Sequence, residues 1–306
     1  MTTFDHPALL YRDSAEYLAG TLPFIEAGLA AGEPVLVAVP RGNLALIEDG
    51  LGEQAAMVTL RDMGQAGRNP GRILPGVLLA FAAAHSGRPV RVIGEPIWAG
   101  RSALEYPACV QHEALINTAF ADRDGAILCP YDVARLAPDV VDDAYRTHPV
   151  VETATGRADS AHYGDPVVFA ARFNQPLSDP PPGAVTMVVD GGSLAAVRQL
   201  VGARGAAAGL DSLRIADFTV AVNELATNSV KHGGGAGTLA VWLEGGALVA
   251  QVSDSGHIAN PMSGRVPPPL DSANGGRGLV LVNQLCDLVR VHTTPDGTTI
   301  RVLLYL

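Results

Sequence analysis

Three consecutive prolines at positions 180–182, inside Pro176-Leu-Ser-Asp-Pro-Pro-Pro-Gly183, constrain the fold of this chain more than any other feature. Each proline fixes φ and removes a backbone donor, so the segment continues neither a helix nor an interior strand. It divides 306 residues into two stretches, each close to the usual domain size of ~100–200 residues. The expected organisation is a first domain over 1–175, a Pro-rich linker over 176–183 and a second domain over 184–306.

With 48% hydrophobic and 17% charged residues the composition is that of a soluble globular protein. The formal net charge of −10 repels phosphate backbones, and without any basic run to offset it direct nucleic-acid binding is not expected. Lys231 is the only lysine and is followed by His232, which rules out the Gly-Lys-Ser/Thr of a Walker loop. Cys109, Cys129 and Cys286 form no C-x-x-C pair and read as buried, packed thiols in a reducing compartment. The start of the chain has no signal-peptide pattern, and the longest apolar segment, Ile73 to Ala84, is shorter than the ~20 residues of a membrane helix. The expectation is a cytoplasmic protein with no membrane association.

Before the prolines, short apolar runs at Val35–Val39, Ala56–Leu60, Val90–Gly94 and Ala126–Pro130 alternate with helical stretches near Ser14–Ala31, Pro70–His85 and Ala103–Phe120. That alternation predicts a mostly parallel sheet with helices on its faces. After the prolines the pattern changes to a strand, Val185–Val189, and two helices, Gly192–Ala208 and Ser212–Lys231. Hairpins follow at Thr238–Ser253 and Leu288–Leu304, with a Pro/Gly/Ser-rich loop, His257–Gly275, and a helix, Gly278–Cys286, between them. This predicts an α+β sandwich, its helices on one face of an antiparallel sheet.

Chemistry concentrates in the second half. Ile215, Phe218, Val222 and Leu225 recur at helical spacing and mark a buried stripe, while Glu224 and Asn228, four residues apart, share another face of the same helix. The amide oxygen of Asn228 is able to ligate magnesium, and the Glu224 carboxylate to activate a hydroxyl. Ser253-Asp254-Ser-Gly256 ends a hairpin strand, where the carboxylate would accept an adenine amino group and glycine would permit close approach. Asn274-Gly-Gly-Arg-Gly-Leu279 opens the last helix, whose N-terminal N–H groups suit phosphate. Each fragment is a weak signal alone, but three in this order across one short domain are a strong one.

Glu224-Leu-Ala-Thr-Asn-Ser-Val-Lys-His232, Asp254-Ser-Gly256 and Gly275-Gly-Arg-Gly-Leu279 resemble the N box and the two glycine boxes of the GHKL ATPase superfamily. Within it they are most similar to the anti-sigma-factor serine/threonine kinases, over nearly all of Gly183–Leu306. The resemblance implies a Bergerat ATP-binding fold and the cofactors ATP and Mg2+. It makes Glu224 the catalytic base, Asn228 the magnesium ligand and Asp254 the adenine contact. Gly256, Gly276 and Gly278 become the backbone positions around base and phosphates; His232 lies near the lid, and Arg277 is solvated or near phosphate. A sigma factor and a STAS-type anti-anti-sigma protein are the implied partners, and a homodimer through the sheet or first helix is left open.

The first half resembles the MEDS sensory domain, a RecA-like α/β module, over about Asp5 to Tyr145. His6-Pro-Ala-Leu-Leu-Tyr11, Gly67-Arg-Asn-Pro70, Val92-Ile-Gly-Glu95-Pro-Ile-Trp98 and Leu128-Cys-Pro-Tyr131-Asp132 carry that resemblance. His6, Tyr11, Glu95, Trp98, Tyr131 and Asp132 fall near strand ends, where α/β sheets place ligands, and form the candidate site for a small-molecule or protein signal. Two alternatives to a kinase stay open: a non-catalytic regulator acting by partner capture, and an atypical sensor histidine kinase. His112-Glu113, however, lacks the proline of an H box and reads as a helix-surface histidine, and it lacks the second histidine of H-E-x-x-H.

Overall fold

The computed structural model describes residues 4–267 and 276–306. It separates into two compact units, the first ending at Phe173 and the second beginning at Asn174.

The first unit is built on eight strands: β1 Phe4–Asp5, β2 Pro7–Tyr11, β3 Val35–Val39, β4 Thr59–Asp62, β5 Val90–Gly94, β6 Gly125–Asp132, β7 Val150–Thr153 and β8 Gly156–Asp159. Their order is β4-β3-β5-β6-β2-β7-β8, with β1 also on β6, and every pairing except β7 with β8 is parallel. Such strands are covered on both faces, which is why Val35–Val39 is apolar and buried at every position. Leu9, Tyr11, Val37, Ile93 and Leu128 pack with Tyr17, Ile25 and Ile47 of the helices Ser14–Ala30 and Arg41–Leu51.

Two local expectations change. Ala56 and Met57 end a 3₁₀ turn, Gly52–Met57, and the strand starts only at Thr59. The stretch expected as one helix over Pro70–His85 widens to a π turn at Leu74–Leu78, because Pro75 offers no N–H to the regular ladder.

Among its described residues the second unit has five strands in the order β12-β13-β11-β10-β9, all antiparallel. They are β9 Val185–Val189, β10 Gly237–Glu244, β11 Ala247–Asp254, β12 Leu288–Thr294 and β13 Gly297–Tyr305. One face carries the helices Leu194–Ala207, Ser212–His232 and Gly278–Leu285. Phe218, Val222 and Leu225 pack there on Leu239, Val241, Ala250 and Val302, each such side chain contributing about 1.5–3 kcal/mol by leaving water. Ile215 is only half-buried, against Gly205 of the preceding helix. Arg214 fixes the first turn of the long helix by a two-point ion pair to buried Asp287, at 3.2 and 2.5 Å.

The second unit begins at Asn174, and the stretch from there through the prolines packs on its sheet. Asn174 exchanges hydrogen bonds with the Thr293 backbone at 2.7 and 2.9 Å. Arg301, held at 3.0 Å by Gln251 and lying over the Trp242 ring, reaches Ser178 Oγ and its carbonyl. Prolines without N–H groups run along the sheet here with no donors left to satisfy.

Candidate functional site

The helix Ser212–His232 starts at Asp211, whose carboxylate accepts from the Arg214 N–H at 2.9 Å, and turns its apolar stripe to the sheet. Glu224 and Asn228 lie beside that stripe, both half-buried. Directly over them is the start of the last helix: a Cβ on Gly278 would come within 2.8 Å of Glu224 Oε2 and 3.5 Å of Asn228 Nδ2. Two segments separated by fifty residues of sequence thus close on one acidic–amide pair. Gly276 sits at φ +83°, a conformation that glycine adopts without steric cost. Arg277 and His232 are exposed. Asn274, Gly275, Pro268 and Pro269 lie outside the described residues.

Asp254 ends β11 and is aimed by two donors. Ser229 Oγ donates to Oδ2 at 2.5 Å, and the Gly256 N–H donates to Oδ1 at 2.9 Å. A carboxylate offers about four acceptor positions, so both oxygens keep lone pairs for a ligand. Thr298, opposite Asp254 in the β11–β13 register, donates to the Gly256 carbonyl at 2.8 Å. Thr293, 2.7 Å from Thr298, accepts from the Ile258 N–H at 2.9 Å. Ser229, Thr293 and Thr298 are the hydrogen-bonding residues around the Asp254–Ile258 turn that the sequence did not single out. The signal for Ser229 was its place beside Asn228; the threonines offered only the β-branched pattern of a hairpin.

In the first unit a cavity of about 480 Å³ opens at the carboxyl ends of the parallel strands, a size and position typical of small-molecule sites. Tyr11, Glu95, Trp98 and Asp132 line it together with Asn43, whose amide donates to both Glu95 oxygens at 3.1 and 2.8 Å. Burial and the neighbouring Asp132 charge raise the Glu95 carboxyl to about 8, against hydrogen bonds from Asn43 and Tyr11 that lower it. A protonated carboxylic acid at neutral pH is both donor and acceptor toward a ligand. Arg101 stacks on the Trp98 ring at 4.0 Å and donates to the carbonyls of Pro96, Gly67 and Arg68, which pins the cavity wall.

His6 and Tyr131 do not join this cavity. Both are fully buried on the opposite face of the sheet, because Tyr131 aligns with Leu10 and not Tyr11, and alternation turns neighbouring residues to opposite faces. Their neighbours are Glu113, Cys129 and His148. His112, expected on a helix surface, is also buried, at 1% exposure. The helix Tyr106–Ala119 lies within the fold over most of its length, and a phospho-accepting histidine needs access that His112 lacks.

A helix-covered antiparallel sheet, with an acidic–amide helix pair under a glycine-opened helix and an aspartate at a strand end, is the architecture of the GHKL ATPase fold. Residues 188–304 match the histidine kinase-like ATPase domain family, and residues 5–149 match MEDS, the MEthanogen/methylotroph, DcmR Sensory domain. The chain thus carries a region that matches the MEDS family followed by one that matches the histidine kinase-like ATPase domain family. Among solved structures it is similar to the RsbU and RsbW domains of Rv1364c from Mycobacterium tuberculosis, at 23% identity and a TM-score of 0.31. That similarity covers 41% of this chain and 33% of the other. A comparison with curated proteins gives no match. No helix among the described residues is long and apolar enough to cross a membrane.

Proposed function

We propose that this protein is an anti-sigma-factor type regulator that binds Mg-ATP and phosphorylates a serine or threonine of an anti-anti-sigma partner, with signal input through the MEDS domain. The convergence of Gly278 on Glu224 and Asn228, beside a carboxylate aimed by Ser229 and Gly256, is the observation that carries this reading. The residues fit the nucleotide by their chemistry. Asn228 offers a neutral amide oxygen to magnesium, and Asp254 keeps acceptor positions for an amino group. The missing Cβ at 278 leaves room above Glu224. Glu224 is the acceptor for the proton of the partner's hydroxyl, Gly256, Gly276 and Gly278 let backbone approach base and phosphates, and Arg277 and His232 stand at the rim. Positioning and charge neutralisation supply most of the catalysis in phosphoryl transfer.

Incubation of the full chain with labelled ATP and a STAS-type anti-anti-sigma protein tests the proposal directly. Label on the partner is expected, and Glu224→Ala should lower its rate by ~10²–10⁴ while leaving ATP binding nearly intact. ATP-dependent capture of the partner without label would replace the kinase by a nucleotide-gated binding protein.

A further inference from the structure

Four side chains far apart in sequence meet in the interior of the MEDS domain, on the face of the sheet opposite the Leu9, Tyr11 and Leu128 core. His6 precedes β2, Glu113 is on the helix Tyr106–Ala119, Cys129 is in β6 and His148 follows the helix Pro138–Thr147. All four are buried to 1% exposure or less, and one donor atom from each lies within 4.8 Å of all the others. The separations are 3.2 Å from His148 Nε2 to Glu113 Oε2, 3.7 Å from His6 Nε2 to the same oxygen, and 3.5 Å from Cys129 Sγ to His6 Nε2. Tetrahedral zinc with bonds of about 2.0–2.3 Å has ligand–ligand edges of about 3.3–3.8 Å.

The outer partners decide which ring nitrogens face inward. Asn117 donates through Nδ2 to the Thr147 carbonyl at 2.8 Å, which leaves Oδ1 to accept from His6 Nδ1 at 3.0 Å. His148 Nδ1 lies 2.9 Å from the Ala144 carbonyl, an acceptor only, so that nitrogen carries the hydrogen. Both Nε2 atoms of the neutral rings therefore point lone pairs at the Glu113 carboxylate and the Cys129 sulfur. Glu113 Oε1 and Oε2 and His148 Nε2 have no hydrogen-bond partner. Lone pairs facing one another in a dry interior repel unless a cation lies between them. One divalent ion with a carboxylate, a thiolate and two neutral imidazoles sums to zero charge, the balance a buried site requires.

We propose that His6, Glu113, Cys129 and His148 form a closed, four-ligand site for a divalent transition metal of the zinc class. The nitrogen, sulfur and oxygen donor set suits zinc or cobalt and disfavours calcium and magnesium. Full burial with four protein ligands makes it a structural site, not a catalytic one with an open position. It ties together β2 and β6, whose far ends carry Tyr11 and Asp132 of the ligand cavity.

The test uses the full chain, expressed with zinc and assayed for metal by mass spectrometry, with about one zinc per chain expected after dialysis. Stripping with a strong chelator should lower the thermal midpoint, and zinc should restore it. Cobalt added to the stripped chain should give a thiolate-to-cobalt charge-transfer band and tetrahedral d–d absorption, lost in Cys129→Ser and kept in Cys286→Ser. Asn117→Ala, which touches no metal, should weaken zinc about 10–100-fold in competition with a chromophoric chelator. No zinc on the native chain together with no cobalt spectrum on titration, or a cobalt spectrum unchanged in Cys129→Ser, overturns the site and leaves a hydrogen-bonded His–Glu–His cluster.

Discussion

Gly278→Ala separates stability from nucleotide binding. The new methyl would stand 2.8 Å from Glu224 Oε2, whereas ordinary contact begins at 3.4 Å, so the carboxylate must retreat by about 0.6 Å. Asn228, at 3.5 and 3.7 Å, keeps its place. The obstacle is the end of a flexible side chain and the φ at 278 is not positive, so the backbone need not move. Alanine in the first turn of the helix Gly278–Leu285 instead gains about 0.4–1 kcal/mol by restricting the unfolded chain. The methyl also fills the space above the Glu224–Asn228 pair, and losing one charge-assisted hydrogen bond there costs ~1.5–3 kcal/mol, about 10–100-fold in affinity. Calorimetric titration with Mg-ATP and a thermal melt on the same preparation measure both effects. Weakened ATP binding with an unchanged or raised melting point is expected. Wild-type affinity in a folded Gly278→Ala chain would show that the ligand does not use this space.

Other consequences are as specific. Asp254→Asn replaces one acceptor oxygen by a donor, so adenine-nucleotide affinity should fall about 10–100-fold, and a titration curve overlapping the native one would remove Asp254 from the base contact. Ser229→Ala deletes the 2.5 Å bond that aims Asp254 and should cost about tenfold in the same titration; an unaffected Kd would mean that Gly256 alone orients the carboxylate. For Glu95 the folded value of about 8 lies above the ordinary 4.5, so between those pH values the unfolded chain has lost a proton that the folded chain holds. Stability therefore falls as pH rises through this window, by about 5 kcal/mol at ~1.4 kcal/mol per pH unit. Glu95→Gln should grow more stable relative to the native chain in urea unfolding from pH 5 to 8 and level off above it, and a constant difference would contradict the raised value.

The second half was largely legible because its signals are local. A helix repeats every 3.6 residues, so Glu224 and Asn228 had to share a face whatever surrounded them. The hairpins expected over Thr238–Ser253 and Leu288–Leu304 both form, their strands flanking Gly245-Gly246 and Pro295-Asp296 directly. In the first half, alternating strands and helices gave the parallel sheet but not its register. Pairing Tyr11 with Asp132, and not with Tyr131, sends Tyr11 and Asp132 to the cavity and His6 and Tyr131 to the interior.

What the sequence alone determined was which half forms parallel and which antiparallel sheet, and which helix carries the acidic–amide pair, because periodicity acts over a few residues. Only the tertiary structure set Gly278 above Glu224, Ser229 against Asp254, and His6, Glu113, Cys129 and His148 around one point. Those meetings depend on strand order and helix packing, which no spacing along the chain encodes.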